Sequence, residues 1–165
     1  MSPGKNRRSE VRTMNPSKVL CVCVGNSDRS PLMARVLELY LRNAGIPDLT
    51  VESAGTHEVA SYGGHASSFM IKAARRIGID LSGHRKRQVT QAMLEQGQYD
   101  LFVVVDSQVA EQLLVVAGFG DLPKVCNAEV VSPWPSQFQE DYDATAGRIL
   151  ATMYRVVVRY FSSEE

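Results

Sequence analysis

The stretch Val19-Leu-Cys-Val-Cys-Val-Gly-Asn-Ser-Asp-Arg-Ser-Pro31 decides the fold predicted for this chain. Its residues 19–23 form an apolar run with β-branched Val19 and Val22, which is typical of a strand covered on both faces. A short polar loop follows, and Pro31 lies where a helix begins. In α/β folds, ligands bind beyond the carboxyl ends of the strands, so we expect the functional site at this first connection.

The alternation of strand-like and helix-like segments continues along the chain. Apolar runs predict further strands at 49–53, 101–105 and 125–131. Helical spacing of apolar residues predicts helices at 31–43, 67–77, 108–116 and 142–161. This order favours an α/β fold with a parallel sheet and helices on both of its faces.

Length and composition indicate one ordinary folded domain. The chain has 165 residues, of which 44% are hydrophobic and 22% charged, values that exclude a collagen-like or disordered chain. Eighteen basic residues balance eighteen acidic ones, so no net charge attracts nucleic acid or an acidic membrane surface. The apolar runs are far too short to span a bilayer. We expect residues 1–16 to form a basic, disordered tail and residues 17–165 to form a single domain.

The three cysteines do not suggest a disulfide framework. Cys21 and Cys23 are separated by one residue, which is neither a zinc nor a thioredoxin spacing, and Cys126 lies far away in the sequence. Free thiols of this kind indicate a reducing, cytoplasmic environment. The three histidines have no metal-ligand spacing, and we predict neither a metal nor a cofactor.

The loop after the first predicted strand has the parts of an anion-binding site with a nucleophile. Cys23 ends the strand, and the backbone N–H groups of a loop that enters a helix have no helical partner. Arg29 provides a planar fork of donors that suits two oxygens of a phosphate. This positive environment stabilises a thiolate, and Ser30 can donate a hydrogen bond to the sulfur. The predicted phosphate-binding residues are Val24, Gly25, Asn26, Ser27, Asp28 and Arg29.

Further motifs follow this loop: Ser53-Ala-Gly-Thr56, His84-Arg85, Arg87-Gln-Val-Thr90, and Tyr99-Asp100 through Asp106. Together with the loop, they resemble the low-molecular-weight protein tyrosine phosphatases, and the similarity extends over about residues 18–161. The resemblance implies a three-layer sandwich whose central sheet has four parallel strands in the order 2-1-3-4. It also implies a phosphatase-like domain that hydrolyses phosphoric monoesters.

The resemblance implies roles for three side chains of the predicted loop. Cys23 attacks phosphorus and forms a phosphocysteine, which water then hydrolyses. Arg29 and the loop amides hold the phosphoryl oxygens, mainly by electrostatic stabilisation. Asn26 keeps the shape of the loop through hydrogen bonds that include Ser53 and His84.

Two positions depart from the family's pattern. The family's general acid is an aspartate before a proline in the loop preceding the last helix, whereas this chain has Ser132 before Pro133. A serine hydroxyl does not release a proton near neutral pH, and the loss of a general acid typically costs about 10²–10⁴ in rate. Asp28 stands where many family members have a second cysteine. It either opposes a phosphate dianion, points outward, or replaces the missing acid.

Two further residues are predicted to flank the pocket. Trp134 either lines the pocket wall beside a substrate ring or packs beneath the loop. Asp106 either flanks the pocket, as the matching family residue does, or caps the helix that follows it. The segment 56–64 departs from the family's usual loop, so the resemblance does not transfer the choice of substrate.

Three functions are therefore compatible with the sequence. The first is a phosphatase that acts on a phosphorylated protein or a small phosphoester, releases phosphate, and turns over slowly because of Ser132. The second is a phosphate- or phosphopeptide-binding protein that has lost catalysis. The third is an arsenate reductase, whose chemistry needs two further cysteines, although only Cys126 lies downstream. The sequence predicts no nucleic-acid or membrane partner and leaves the oligomeric state open.

Overall fold

The computed structural model describes residues 15–161 and contains a four-stranded parallel sheet. The strands are β1 (Lys18–Cys23), β2 (Thr50–Gly55), β3 (Leu101–Val104) and β4 (Val125–Asn127). They lie in the order β2-β1-β3-β4, and every neighbouring pair is parallel. This confirms the predicted sheet and its strand order. Most of the predicted basic tail, residues 1–14, lies outside the described residues.

Helices connect the strands and cover the sheet. They are α1 (Arg29–Asn43), α2 (Ser68–Arg76), α3 (Gln91–Gln96), α4 (Ser107–Val116), α5 (Gln139–Tyr160) and a 3₁₀ helix (Glu58–Tyr62). α5 contacts α1 and α2, α1 contacts β1 and β2, and α4 contacts β3 and β4. This arrangement agrees with the expected three-layer α/β sandwich. No helix among residues 15–161 has the length and apolar character that crossing a membrane requires.

The core fixes the end of β1, where the predicted site begins. Residues 19–23 of β1 and all of β3 are buried, because both faces of these central strands are covered. α1 contributes the fully buried side chains of Leu32, Val36, Leu37 and Leu41, which recur at helical spacing. Burying each such side chain stabilises the fold by about 1.5–3 kcal/mol.

The fourth strand is shorter than predicted. β4 ends at Asn127, whereas the apolar run favours a strand that continues to residue 131. Glu129 has a φ of 52°, a left-handed conformation that interrupts an extended strand. The Asn127 side-chain oxygen accepts a hydrogen bond from the Glu129 amide at 3.0 Å. Val130 still donates to the Val105 carbonyl at 2.9 Å, so the chain remains beside the end of β3.

The helical spacing of apolar residues does not predict two short helices, and it predicts a later start for the last helix than the structure shows. The 3₁₀ helix begins where the His57 side chain accepts a hydrogen bond from the Val59 amide, and α3 begins where Thr90 accepts one from the Met93 amide. Side-chain caps rather than an apolar stripe therefore mark both helices. α5 begins at residue 139, earlier than the predicted 142.

Pairing beyond the end of β2 brings a distant segment to the site. Gly55 donates to the Arg87 carbonyl at 2.9 Å, and Val89 donates to the Gly55 carbonyl at 2.8 Å. The segment before α3 therefore continues the sheet beside β2. As a result, residues 84–87 come to lie next to the loop that follows β1.

Candidate active site

The loop between β1 and α1 places hydrogen-bonding groups around the Cys23 sulfur. Cys23 ends β1 and is only 3% exposed. Its Sγ lies 2.9 Å from the Ser30 hydroxyl oxygen, and the Asn26 backbone amide donates to it across 3.2 Å. Hydrogen bonds donated to sulfur favour the thiolate, which is the nucleophilic form of cysteine. The structure thus brings together the cysteine and the serine that the sequence singles out.

Asn26 connects the loop to three other parts of the fold. It has a φ of 55°, a left-handed conformation that asparagine adopts more readily than most residues. Its buried Nδ2 donates to the hydroxyl oxygens of Ser30 at 2.9 Å and Ser53 at 3.0 Å. Its Oδ1 accepts a hydrogen bond from the Arg87 backbone amide at 2.9 Å. One side chain therefore joins the loop to α1, β2 and the segment before α3.

His84 supports the same asparagine from the other side of the loop. Its Nε2 lies 2.8 Å from the Asn26 carbonyl oxygen. A carbonyl only accepts hydrogen bonds, so Nε2 carries the proton in this contact. Burial lowers the pKa of His84, and the neighbouring cations Arg87 and Lys86 lower it further. Both predicted supporting residues, Ser53 and His84, therefore contact Asn26.

Arg29 is the first residue of α1, and its buried guanidinium is held in place by contacts on one side only. Its Nη1 donates to the Val130 carbonyl at 2.9 Å and lies 3.7 Å from Oδ2 of Asp106. No other hydrogen bond joins this guanidinium to residues 15–161, so Nε and Nη2 are available to a ligand. An arginine with two free donors suits two oxygens of one phosphoryl group.

Asp106 lies beside Arg29, and its carboxylate has two contacts of different kinds. Its Oδ1 accepts a hydrogen bond from the Val109 amide at 2.8 Å and caps α4. The requirement for a partner at the helix start turns this carboxylate toward the backbone of α4. Its other oxygen faces Arg29, so both alternatives from the sequence apply in part.

Several backbone amides of the loop have no acceptor. Within residues 15–161, no group accepts a hydrogen bond from the amides of Val24, Gly25, Ser27 or Asp28. The loop enters α1, so the partial positive charge of the helix start adds to these donors. Free amides at a helix N-terminus can bind an anion, which is the role that the sequence predicts for this loop.

A pocket of about 470 Å³ opens onto the Cys23 sulfur. Its lining consists of the loop and three other segments: Cys23, Val24, Gly25, Ser27, Asp28, Arg29, His57, Val59, Lys86, Ser132 and Trp134. Sequence reasoning misses three of these residues, His57, Val59 and Lys86. The unusual segment 56–64 is a signal for the first two, whereas nothing in the sequence marks Lys86, which depends on the pairing beyond β2.

The segment that precedes α5 also lies at this pocket. Ser132 and Trp134 both line it, and the Ser132 hydroxyl oxygen accepts a hydrogen bond from the Trp134 amide at 3.2 Å. Trp134 is 72% exposed, which excludes the alternative that it packs beneath the loop. The peptide bond between Trp134 and Pro135 is cis.

Asp28 also lines the pocket and is only 8% exposed, so it does not point outward. The Ser67 hydroxyl donates to its Oδ1. Burial raises the pKa of Asp28, and the hydrogen bond from Ser67 and the charges of Arg29 and Lys86 oppose this rise only in part.

Gly55, the glycine of the Ser-Ala-Gly-Thr motif, allows β2 to approach the loop closely. A Cβ atom at this position would lie 2.5 Å from the Val24 carbonyl oxygen and 3.0 Å from the Asn26 amide nitrogen. Only glycine leaves room for both backbone groups. The sequence resemblance includes this glycine but assigns it no role.

The described part of the chain, residues 15–161, has no cluster of three His, Cys, Asp or Glu side chains arranged to hold a metal ion. The ionisable side chains at the pocket are instead a thiol, two cations, one imidazole and one carboxyl group, and they surround a set of amide donors. This arrangement can bind a small oxyanion next to a sulfur nucleophile.

Comparisons with known proteins identify relatives of this chain. The Escherichia coli K12 protein Wzb, a low molecular weight protein-tyrosine-phosphatase, is 31% identical over 101 residues, which cover 61% of this chain and 63% of Wzb. Etp of the same organism is 32% identical over 101 residues, 61% of this chain and 62% of Etp. The chain thus spans less than two thirds of these relatives. The structure of Vibrio vulnificus Wzb in complex with benzylphosphonate aligns with a TM-score of 0.75 and 27% identity, covering 87% of this chain and 98% of that one.

The family model described as low molecular weight phosphotyrosine protein phosphatase matches residues 18–129. The match includes the Cys23 loop, the Ser53 motif and the His84 segment, and it ends before Ser132. Because it covers more than half of the sequence, this chain belongs to the low molecular weight phosphotyrosine protein phosphatase family.

Proposed function

We propose that this protein hydrolyses phosphoric monoesters and that its substrate class is phosphotyrosine in proteins. The observation that carries the proposal is the Cys23 sulfur at a pocket bordered by free loop amides and by the free nitrogens of Arg29. Family membership supports the same activity.

The proposed reaction has two steps, and the first transfers the phosphoryl group to sulfur. The Cys23 thiolate attacks phosphorus, an S–P bond forms, and the bond to the leaving-group oxygen breaks. Arg29 and the loop amides bind the other phosphoryl oxygens as charge develops on them. In the second step water attacks the phosphocysteine, phosphate is released, and Ser30 stabilises the departing thiolate with a hydrogen bond.

The leaving group is where this chain differs from the family. In the first step the leaving oxygen needs a proton unless it is stable as an anion, and Ser132 does not supply one near neutral pH. We therefore expect fast transfer of the phosphoryl group to Cys23 from esters with acidic leaving groups and slow transfer from those with poor leaving groups. The expected penalty is about 10²–10⁴ in rate for poor leaving groups.

The pocket wall favours an aromatic ester. Val59 and Trp134 provide apolar surface beside the sulfur, and the exposed indole of Trp134 is free to stack on a ring. A phenolic oxygen is also a better leaving group than an aliphatic alcohol, so it tolerates the missing acid better. Both features support phosphotyrosine over phosphoserine.

The proposal is tested by steady-state hydrolysis of 4-nitrophenyl phosphate. We expect turnover in the unmodified protein and complete loss in Cys23→Ser, because an alcohol at this position is a far weaker nucleophile than a thiolate. The matched control Cys126→Ala removes a thiol on β4 and should retain turnover. Equal activity of the Cys23→Ser variant would refute the assigned nucleophile.

A second function, phosphopeptide binding without catalysis, is favoured by one observation, namely Ser132 at the pocket. It predicts saturable binding of a phosphotyrosine peptide with negligible turnover. Ser132→Asp should then raise turnover of phenyl phosphate at least about tenfold, since it restores a general acid, whereas the control Ser132→Ala should not. Substantial turnover of a phosphotyrosine protein by the unmodified protein contradicts this second function.

The arsenate reductase alternative has no comparable support. Cys126 is the only cysteine downstream of Cys23 in the sequence, and it lies on β4, which β3 separates from β1. A disulfide relay from Cys23 through two nearby thiols therefore lacks its parts.

A further inference from the structure

Asp28 is the only carboxyl residue among those that line the pocket. It precedes Arg29 in the loop, so it lies among the amides and cations that surround a bound oxyanion rather than in the segment of Ser132. A carboxylate in this position would repel a phosphate dianion, because both charges share one small, partly desolvated pocket. The presence of a carboxyl group in a pocket that is proposed to bind an anion therefore needs a physical explanation.

The hydrogen bonds of Asp28 distinguish its two oxygens. The Ser67 hydroxyl oxygen accepts a hydrogen bond from the Met70 amide at 3.2 Å and gives its own proton to Oδ1 of Asp28. Oδ2 has no hydrogen-bond partner among residues 15–161. In the same residues, every fully buried side-chain nitrogen or oxygen has a partner. Oδ2 is therefore not fully buried, and Asp28 is one of the residues that line the active-site pocket.

Groups from four parts of the fold act on this carboxyl. Arg29 follows it on α1, Lys86 faces it from the segment before α3, and Ser67 approaches from the start of α2. Burial raises the pKa of Tyr142 of α5, and the nearby carboxylate of Asp28 raises it further. His57 and Cys23 share the pocket with these groups and complete the ionisable set. Burial outweighs the two cations and raises the pKa of Asp28 above its ordinary value.

We propose that Asp28 binds the phosphoryl group as a neutral carboxylic acid, with Oδ2–H donating a hydrogen bond to a phosphoryl oxygen. The inference rests on the proposed function, since it concerns the same pocket. Where Asp28 is ionised in the free protein, a dianion enters together with one proton taken from solvent, which Oδ2 retains while the dianion is bound. Asp28 thus becomes a substrate-binding residue that favours dianions at acidic pH and excludes them at alkaline pH.

Linkage between proton and anion binding gives the expected size of the effect. If one proton accompanies each dianion, affinity is constant below the pKa of Asp28. Above that pKa, affinity falls by up to about tenfold for each pH unit. Asparagine at this position keeps the hydrogen bond from Ser67 and cannot ionise. In the Asp28→Asn protein the affinity for the dianion therefore no longer depends on pH.

The test uses sulfate, which remains a dianion from weakly acidic to weakly alkaline pH. The parent protein is Cys23→Ser, because this substitution replaces the thiol of the nucleophile with a hydroxyl group. Isothermal titration calorimetry of Cys23→Ser, of Cys23→Ser with Asp28→Asn, and of Cys23→Ser with His57→Gln gives the affinity at each pH. Buffers of different ionisation enthalpy count the protons taken up.

We expect the parent and the His57→Gln control to lose sulfate affinity as pH rises and to take up close to one proton per sulfate above the pKa of Asp28. The Asp28→Asn protein should bind with an affinity independent of pH and take up none. A parent that binds sulfate equally at every pH, without proton uptake, overturns the role of Asp28 but leaves the proposed function intact. Failure of sulfate to bind at any pH overturns the anion site itself, and the proton count in the parent requires no Asp28 variant to fold.

Discussion

The Ser30 hydroxyl oxygen lies 2.9 Å from the Cys23 sulfur and also accepts a hydrogen bond from Nδ2 of Asn26 at 2.9 Å. Because this oxygen already accepts from an amide, the hydroxyl proton can be donated either to the Cys23 sulfur or to the Ala54 carbonyl oxygen, which lies 3.4 Å away. The sulfur is the nearer of the two acceptors, and the hydrogen bond from Asn26 holds the Ser30 hydroxyl oxygen in place.

We expect Ser30→Ala to lower kcat for 4-nitrophenyl phosphate about 10- to 100-fold, since a hydrogen bond to a charged group contributes about 1.5–3 kcal/mol. The measurement is steady-state kinetics, with Ser61→Ala, an exposed serine away from the sulfur, as the control. An unchanged kcat in Ser30→Ala would show that this hydroxyl does not act on the sulfur.

The raised pKa of Asp28 also predicts how the stability of the folded protein changes with pH. Its pKa is raised in the folded protein, so the folded state is penalised when the carboxyl ionises. The stability of the unmodified protein is therefore full below the ordinary carboxyl pKa and declines as pH rises through the folded pKa of Asp28. Asp28→Asn should raise Tm at neutral pH, and this gain should vanish on acidification.

In the control variant for this stability prediction, the expected change in Tm at neutral pH has the opposite sign. Two hydrogen bonds from Ser82 lower the pKa of the exposed Asp80, so its carboxylate stabilises the folded state above the ordinary pKa. Asp80→Asn should therefore lower Tm at neutral pH. Thermal melts across the acidic range compare the two variants, and a lower Tm for Asp28→Asn at neutral pH would contradict the burial of that carboxyl.

Among the elements, the junction between β2 and the phosphate-binding loop depends on Gly55. We expect Gly55→Ala to destabilise the protein by at least about 1–3 kcal/mol, because the new Cβ meets the Val24 carbonyl and the Asn26 amide. For a chain of this size, that change lowers Tm by roughly 2–12 °C. Gly83→Ala is the matched control, since nothing lies within 4 Å of its added Cβ. A wild-type Tm and activity in Gly55→Ala would refute the close approach.

Elements with a strong apolar pattern are predictable from the sequence, whereas elements defined by caps and single backbone angles are not. The buried runs of β1 and β3 and the apolar faces of the long helices are confirmed. The 3₁₀ helix and α3 depend on caps from His57 and Thr90, and the end of β4 depends on the φ of Glu129. Such local choices leave no periodic trace in the sequence.

The residues of the pocket also divide into those that the sequence predicts and those that it does not. Residues of the contiguous loop are predictable because one strand-to-helix connection contains them all. The position of Lys86 at the pocket is not predictable from the sequence, because it depends on pairing between Gly55 and residues 87–89. Asp106 could be placed near the loop but not oriented, since only the structure shows that its Oδ1 caps α4.

For the whole molecule, the packing of α5 on α1 and α2 holds together the elements that carry the site. Met153 of α5 is fully buried, whereas its neighbour Tyr154 is 63% exposed. We expect Met153→Ala to cost about 2–5 kcal/mol, through lost burial and a residual cavity, and to lower Tm markedly. Tyr154→Ala should change Tm much less.

Because Met153 lies away from the pocket, kcat/KM of the folded Met153→Ala protein should match that of the unmodified protein at low temperature. Calorimetric melting and low-temperature kinetics test both statements. A small loss of Tm, or a large loss of kcat/KM well below Tm, would contradict the separation between core and site.

The covalent role of Cys23 is tested most directly by rapid-quench mass spectrometry during hydrolysis of 4-nitrophenyl phosphate. We predict a burst of nitrophenolate close to one equivalent per protein, together with a single phosphoryl group on the peptide that contains Cys23, and neither in Cys23→Ser. Turnover without a phosphorylated Cys23 peptide, or phosphorylation at another residue, would contradict the proposed chemistry of this loop.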